Sequence, residues 1–360
     1  MLSNFVRSFF SKKPLLAGLD ICPSEVRMVE LSGTNAKHPR LERYARESLP
    51  YGAVSSDGIE NLRQVMEAVG RLWNRSGSRA REVAISIPAA SAFTEIIVVA
   101  AGSSDQQRET LAKTYMAGLL PYPIEQALFD YSIIGPSSKA AGHIDLLIAA
   151  ARKEDIEDRV AIAESLGLKA TVADVDSYAA LNALLRDDAA PATMTAGTVV
   201  ALLRLEAHGT HASLACDGRV VVDHDDAGGH QQLEYKIMRN YGLTQEESRR
   251  RQRDGSLPDG YVADILAPYV DEVATKAQES LRAMQASART GDVARIVLAG
   301  PGAQTPGLAQ TIQKRANVAT SIAAPFAGMS VAAAIDRRQL AADAPSCAVA
   351  CGLALRQFDR

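Results

Sequence analysis

Aromatic residues are scarce in this chain, 5% of 360 residues, and Trp73 is alone of its kind. A surface that stacks bases needs more of them, so a base-stacking platform is excluded. There is no excess of positive charge either. The formal net charge is -3, whereas a dedicated nucleic-acid binder is basic. No apolar run reaches ~18 residues, which excludes a membrane-spanning helix. Four cysteines, Cys22, Cys216, Cys347 and Cys351, form no CxxC pair and have no metal-ligand spacing. Cys347 and Cys351 share a helix face in an Ala-rich run, as small buried residues of a reducing compartment do.

What remains is ordinary globular composition, 47% apolar and 22% charged, with length for roughly two domains. Residues 1–13, MLSNFVRSFFSKK, combine Phe5, Phe9 and Phe10 with Arg7, Lys12 and Lys13. This basic, aromatic segment lacks the apolar core and cleavage site of a signal peptide. It reads as a disordered or locally packed terminus, with contact to an anionic membrane surface as the alternative.

The stretch 15–31, LLAGLDICPSEVRMVEL, reads as two apolar strands around a turn at Cys22-Pro23-Ser24-Glu25. Asp20 closes the first strand. Such a hairpin can hold a nucleotide phosphate on its turn while the carboxylate orients a metal ion. That chemistry asks for Gly in the turn, because backbone N–H groups must reach phosphate oxygens unobstructed. Here the residue is Cys22.

Strand and helix patterns then alternate, which predicts an α/β protein. A strand is expected at 41–50, a helix at 57–74 capped by Asp57, and strands at 83–88 and 94–99. A helix at 106–119, strands at 127–134 and 144–150, and a helix at 154–166 follow. A strand at 170–174 and a helix at 177–185 complete the first part. The polar, small-residue stretch 187–197 marks a boundary. Beyond it the opening pattern recurs: a strand at 199–205, a turn at 207–209, and strands at 213–216 and 219–223. A unit at 295–302 and helices at 261–284 and 307–315 close the pattern. Superposing the two openings sets Asp20 against Arg204 and Cys22 against Glu206. The chain therefore reads as an internal duplication around a cleft.

Several stretches carry a specific resemblance: LAGLDICPSEVRMVEL (16–31), LLPYPIEQALFDYSIIGPSSK (119–139), IDLLIAAARKEDIEDRVAIAESLGLKATVADVDSYA (144–179), RNYGLTQEE (239–247), RIVLAGPGAQTPGLAQ (295–310), APFAGMSVA (324–332) and CGLALR (351–356). In this order, over essentially the whole chain from about residue 14, it resembles the PilM family. These are actin-like cytoplasmic proteins of type IV pilus assembly, relatives of the division protein FtsA. The resemblance implies an actin-like ATPase fold of two related, ribonuclease-H-like halves. It divides the chain into a first half (14–82 and 175–190), an inserted α+β subdomain (83–174) and a second half (198–360). It implies a position at the cytoplasmic face of the bacterial inner membrane. It also implies a partner, the N-terminal peptide of PilN, an extended segment of the Ile-Asn-Leu-Leu-Pro kind held in a groove between first half and insert. Further partners would be other inner-membrane and motor components of the pilus, and membrane association would run through them.

The resemblance further implies a cleft for ATP and Mg, and there this chain departs from the pattern. The first phosphate loop, Asp-Ile-Gly in the family, is Asp20-Ile21-Cys22, with Ser24 retained and Arg27 where Lys is usual. The second, Asp-Ile-Gly-Ala, is Arg204-Leu205-Glu206-Ala207. A Gly-Gly pair becomes Gly229-His230, or Gly228-Gly229 after a one-residue slip. The adenosine-side Gly-Gly becomes Gly300-Pro301, followed by Gly302. Asp20 would hold Mg if ATP binds.

Residues 204 and 206 point to one side of a strand. Arg204 would attract phosphate and Glu206 repel it; at ~4 Å and an effective dielectric of ~20, two like charges cost about 4 kcal/mol. Alternatively the two side chains pair with each other and fill the slot. Cys22 adds a Cβ, Pro301 removes a donor, and the second-loop Asp that would organise a metal-bound water is gone. The expectation is a vestigial cleft with weak or absent ATP hydrolysis and no catalytic residue. The alternative is a working ATPase switch that gates pilus partners, and a sugar kinase would need a base that the second loop lacks. His208, His211, His224 and His230, with Asp223, Asp225 and Asp226, read as a solvated cluster rather than a metal site. The run Arg249–Arg253 reads as a solvated helix end where cations suit the dipole.

Overall fold

The computed structural model describes residues 15–55, 58–137, 139–186 and 197–359. The segment 1–13, the cap candidate Asp57 and nearly all of the linker at 187–197 lie outside them.

Strands β1 (Leu16–Ile21) and β2 (Glu25–Ser32) form the opening hairpin, registered from Ala17 opposite Glu30 to Ile21 opposite Val26. Strand β3 (Arg40–Ser48) continues the antiparallel meander. Helix α1 (Leu62–Ser76) buries Val65, Ala68, Val69 and Leu72, the i, i+3, i+4, i+7 stripe of a core-facing helix. Its N-cap is Asn61, whose side chain accepts the Gln64 N–H. Strand β4 (Glu82–Ile87) then pairs parallel with β1.

A lobe follows: β5 (Ala92–Ala100), α2 (Asp105–Leu119), β6 (Ala127–Pro136) and β7 (His143–Arg152). Its three strands form a separate sheet in the order β5-β7-β6, with Ala112 and Met116 of α2 packed on it. Helix α3 (Lys153–Glu164) and strand β8 (Lys169–Val175) return to the main sheet, where β8 pairs parallel with β4. This corrects the boundaries expected for the insert. Residues 83–87 and 169–175 belong to the sheet of the first half, and the lobe is confined to about 92–152. Both strands are short and mostly apolar, and their pairing partner lies elsewhere in the chain, so local pattern did not assign them.

Helix α4 (Asp176–Leu185) leads to the second half. There β9 (Val199–Leu205), β10 (Gly209–Cys216) and β11 (Arg219–Ala227) form a meander. Helices α5 (Gln231–Tyr241) and α6 (Gln245–Asp254) follow. A π turn, Val262–Leu266, enters the long α7 (Ala267–Ala288). Strand β12 (Val293–Ala299), helix α8 (Leu308–Ala316) and strand β13 (Ala319–Ile322) complete it. The order β11-β10-β9-β12-β13 repeats β3-β2-β1-β4-β8: a meander, then two parallel strands. The duplication is real.

The chain then returns to the first half. Strand β14 (Ser330–Val331) pairs with β3, and α9 (Arg337–Asp343) and α10 (Ala348–Leu355) follow. Phe326, Leu340 and Ala354 share a core cluster with Val29, Leu31 and Leu41. The second half therefore ends near residue 323, not 360. Helix α10 lies against β1 because Gly18 has no side chain: a Cβ there would sit 2.1 Å from the Ala350 carbonyl oxygen. Cys347 and Cys351 are buried in this region, and burial pushes the Cys347 thiol up to about 12.

Candidate functional site

The cleft floor lies where the ends of β1 and β9 meet. Both strands run into the same turn: the Cys22 N–H donates to the Glu25 carbonyl at 3.1 Å, and the Glu206 N–H to the Gly209 carbonyl at 2.9 Å. Asp20 and Arg204 are thus structural equivalents, as are Cys22 and Glu206.

Arg27 is the hub of the floor. It is 1% exposed, and its guanidinium reaches three carboxylates. Nε donates to Glu25 at 2.6 Å, Nη1 to Asp20 at 3.3 Å, and both terminal nitrogens to Glu206 at 3.1 and 2.5 Å. The last is a fork-on-fork pair between the halves, the strongest geometry open to these groups. Burial alone would raise the Glu206 carboxyl, but Arg27 outweighs it and holds the group at about 2. Asp20 goes the other way. Burial raises it above the ordinary carboxylate value despite Arg27, and its second oxygen accepts the Ser86 hydroxyl at 2.8 Å. Burial also pushes the Cys22 thiol up to about 12, so it is no nucleophile, and its Sγ–H donates to the Glu25 carbonyl at 3.1 Å.

Arg204 does not pair with Glu206, which corrects one expectation. Its Nη2 lies 2.8 Å from Asp176, the first residue of α4 in the other half. The two residues are neighbours in sequence, yet each has its partner in the opposite half. Glu25 is bound in turn by Arg46, which also reaches Asp343. The network holds five carboxylates (Asp20, Glu25, Asp176, Glu206, Asp343) against three guanidiniums (Arg27, Arg46, Arg204). Arg159 of α3, buried close by, makes the ratio five to four, and its Nη1 donates to the Asp155 carbonyl.

The backbone is equally committed. The His230 and Gln231 N–H groups, at the start of α5, donate to the Glu206 and Ala207 carbonyls at 2.9 and 3.1 Å. A helix N-terminus that could face an anion is closed by the chain itself. Gly229, Gly300 and Gly302 crowd this same segment: a Cβ on Gly229 would lie 2.2 Å from the Glu206 carbonyl oxygen, and one on Gly300 2.7 Å from that of Leu205. The Gly300 N–H is spent on Pro345, and Pro301 has none. Ser24 lines an open cleft of about 850 Å³ above the floor, with Tyr51, His208, Tyr235 and Arg249. The floor side chains do not fit Mg-ATP: Arg27 lies against Asp20 where a metal would sit, and the buried carboxylates there outnumber the cations. The open cleft above carries Arg46, Arg249 and Arg253 beside Glu25 and Glu234.

Sequence reasoning missed Glu25, Ser86, Arg46, Asp176 and Asp343. A signal existed for Glu25, which stands two residues from Arg27 on the same strand and so on its face. Asp176 gave none, since an acidic residue in a first helical turn is common. Among the described residues no group of His, Cys, Asp and Glu is placed to hold a metal. His211 pairs with Asp225 at 2.5 Å and His224 with Asp226 at 3.2 Å. In the arginine run, Arg249 holds the buried Glu234 at 2.7 Å.

The model of a protein family, type IV pilus assembly protein PilM, matches residues 18–358. Among solved structures, the chain is similar to one described as a PilM-PilN type IV pilus biogenesis complex. That match has TM-score 0.77 and 22% identity, and covers 96% of this chain and 99% of the other. A second is the ethanolamine utilization protein EutJ from Carboxydothermus hydrogenoformans, with TM-score 0.57, 12% identity and coverage of 96% and 90%. A third is MreB 5 of Spiroplasma citri bound to AMPPNP, with TM-score 0.51, 10% identity and coverage of 97% of each chain.

Proposed function

Since the chain belongs to the PilM family of actin-like type IV pilus assembly proteins, we propose that it acts there as a scaffold with little or no ATP hydrolysis. Its task is to hold the N-terminal cytoplasmic peptide of PilN at the inner face of the membrane, beside other pilus components. Among the described residues no helix is long and apolar enough to cross a membrane.

One observation carries this reading. Glu206 stands in the second turn and spends both carboxylate oxygens on Arg27, so the chain's own side chains take the place a nucleotide would need. The lobe supports the binding half of the proposal. Among the described residues it carries six of the twelve exposed large apolar side chains: Val98, Leu111, Tyr115, Leu119, Leu128 and Ile133. Leu111, Tyr115 and Leu119 fall at i, i+4 and i+8 of α2, an exposed apolar stripe of the kind a protein partner covers. Strands β5 and β8 are edges of their sheets, and edges accept an extended peptide through main-chain hydrogen bonds.

Calorimetry with a synthetic PilN N-terminal peptide tests the proposal. Binding of equal affinity with and without Mg-ATP is expected. No binding, or binding only with ATP, would replace the scaffold by the nucleotide-gated switch.

A further inference from the structure

The ion pairs of the cleft floor cross between the halves in opposite directions. Arg27 of the first half holds Glu206 of the second, and Arg204 of the second lies against Asp176 of the first. All four residues are nine-tenths or more buried. Asp176 has a second duty: its other oxygen accepts the Ala89 N–H at 3.1 Å. Ala89 begins the short connection from β4 to β5, which is the stem of the lobe. The next two residues of α4 bridge the same bodies. Ser177 donates to Asp223 of β11 at 3.0 Å, and the Tyr178 hydroxyl lies 3.5 Å from both Thr94 of the lobe and the Val220 carbonyl. The first turn of α4 is a three-way junction of first half, second half and lobe.

From this geometry we infer a built-in clamp: Arg204 and Glu206 are positioning residues that hold the halves at one closure and, through Asp176 and Ala89, fix the lobe stem, without any nucleotide. A bridging ligand between two such turns would set their separation by its own phosphates and cation. Here two side-chain pairs of opposite sense set it. Opening the cleft would bare two guanidiniums and two carboxylates together, because Arg204 and Glu206 stand two residues apart at the end of β9. Beneath the pairs, Leu16 and Ala180 share one buried apolar cluster with Val200 and Leu202, so the halves are also joined by packing. The inference rests on the reading of the cleft as unfit for Mg-ATP, but not on the identity of the partner.

Hydrogen exchange on the full chain, read by mass spectrometry, tests it. In the unaltered protein, exchange over 86–95 and 204–209 should be identical with and without Mg-ATP. Arg204→Ala should speed exchange over 86–95 by at least about tenfold, since Asp176 loses its anchor. Glu206→Gln should do the same over 22–27 and 204–209, with β2 and β3 unchanged elsewhere. If Arg204→Ala fails to fold, Asp176→Asn carries the test, because it keeps the side chain's size and removes the charge that faces Arg204. Unchanged exchange in the folded variants, or slower exchange at the stem on adding Mg-ATP to the unaltered protein, overturns the clamp. A parallel titration separates the two readings: Mg-ATP binding that leaves exchange unchanged would fail the cleft reading and support the clamp.

Discussion

The two strand–turn units of the cleft share one backbone and differ in charge. In the first half the strand ends on Asp20 and the turn begins with Cys22, whose thiol stays protonated. In the second half the same positions carry Arg204 and Glu206, both ionised and buried. The duplication kept the hydrogen bond that closes each turn, while the side chains differ and find partners elsewhere: Glu206 in Arg27 of β2 and Arg204 in Asp176 of α4. The two halves meet through ion pairs of complementary charge that cross the cleft floor.

The sharpest way to break that complementarity is Arg27→Ala. It leaves Asp20, Glu25 and Glu206 buried around a missing cation, and breaking such a network costs about 3–5 kcal/mol. Urea unfolding should show the loss, and a cost below about 1 kcal/mol would mean that the network adds nothing to the fold.

Acid tests the comparison from the other side. Glu206 has its pKa depressed from the ordinary 4.5 to about 2, so it stabilises the fold above pH ~4.5 and loses that contribution as pH falls toward about 2. Asp20, raised by burial, works against folding once it ionises, and so opposes this trend. Glu206→Gln should flatten the acid limb of stability below pH ~4.5. A limb as steep as in the unaltered protein would show that the charge of Glu206 is not linked to folding.

Cys22→Gly with Arg204→Asp and Glu206→Gly would make the halves alike again. Mg-ATP affinity should rise at least about tenfold over the unaltered protein, or about 1.4 kcal/mol. An unchanged affinity would place the block in the backbone contacts of Gly229, Gly300 and Pro301 instead. The smallest effect is the control: Arg71→Ala breaks an exposed pair with Glu47 and should cost about 0.2–1 kcal/mol in the same urea assay.

The hairpin of β1 and β2 was legible in the sequence because two short apolar runs flank the turn residues Cys22-Pro23-Ser24-Glu25, a signal that is wholly local. The repeat of that hairpin after residue 198 was legible for the same reason. The lobe boundary was not: whether an apolar strand such as β4 joins one sheet or another depends on partners that its own residues do not specify. The altered loops were visible, yet the partner of Glu206 was not, since Arg27 lies 179 residues away in the chain. Charge at a site can be read from sequence; pairing across a fold cannot.

The return of the chain to the first half sets an order of events during synthesis. The second half holds its five strands by residue 322, and the core on one face of its sheet can close then, but the face of Val200, Leu202 and Val297 also receives Ala348, Val349 and Leu353 of α10. The first half began hundreds of residues earlier, yet it lacks β14 and the helix that seats on Gly18 until residue 355 has emerged. Its sheet waits with the face of Val29 and Leu31 bare, the kind of transient apolar surface that chaperones recognise. Both halves are sealed by the last helix to be made.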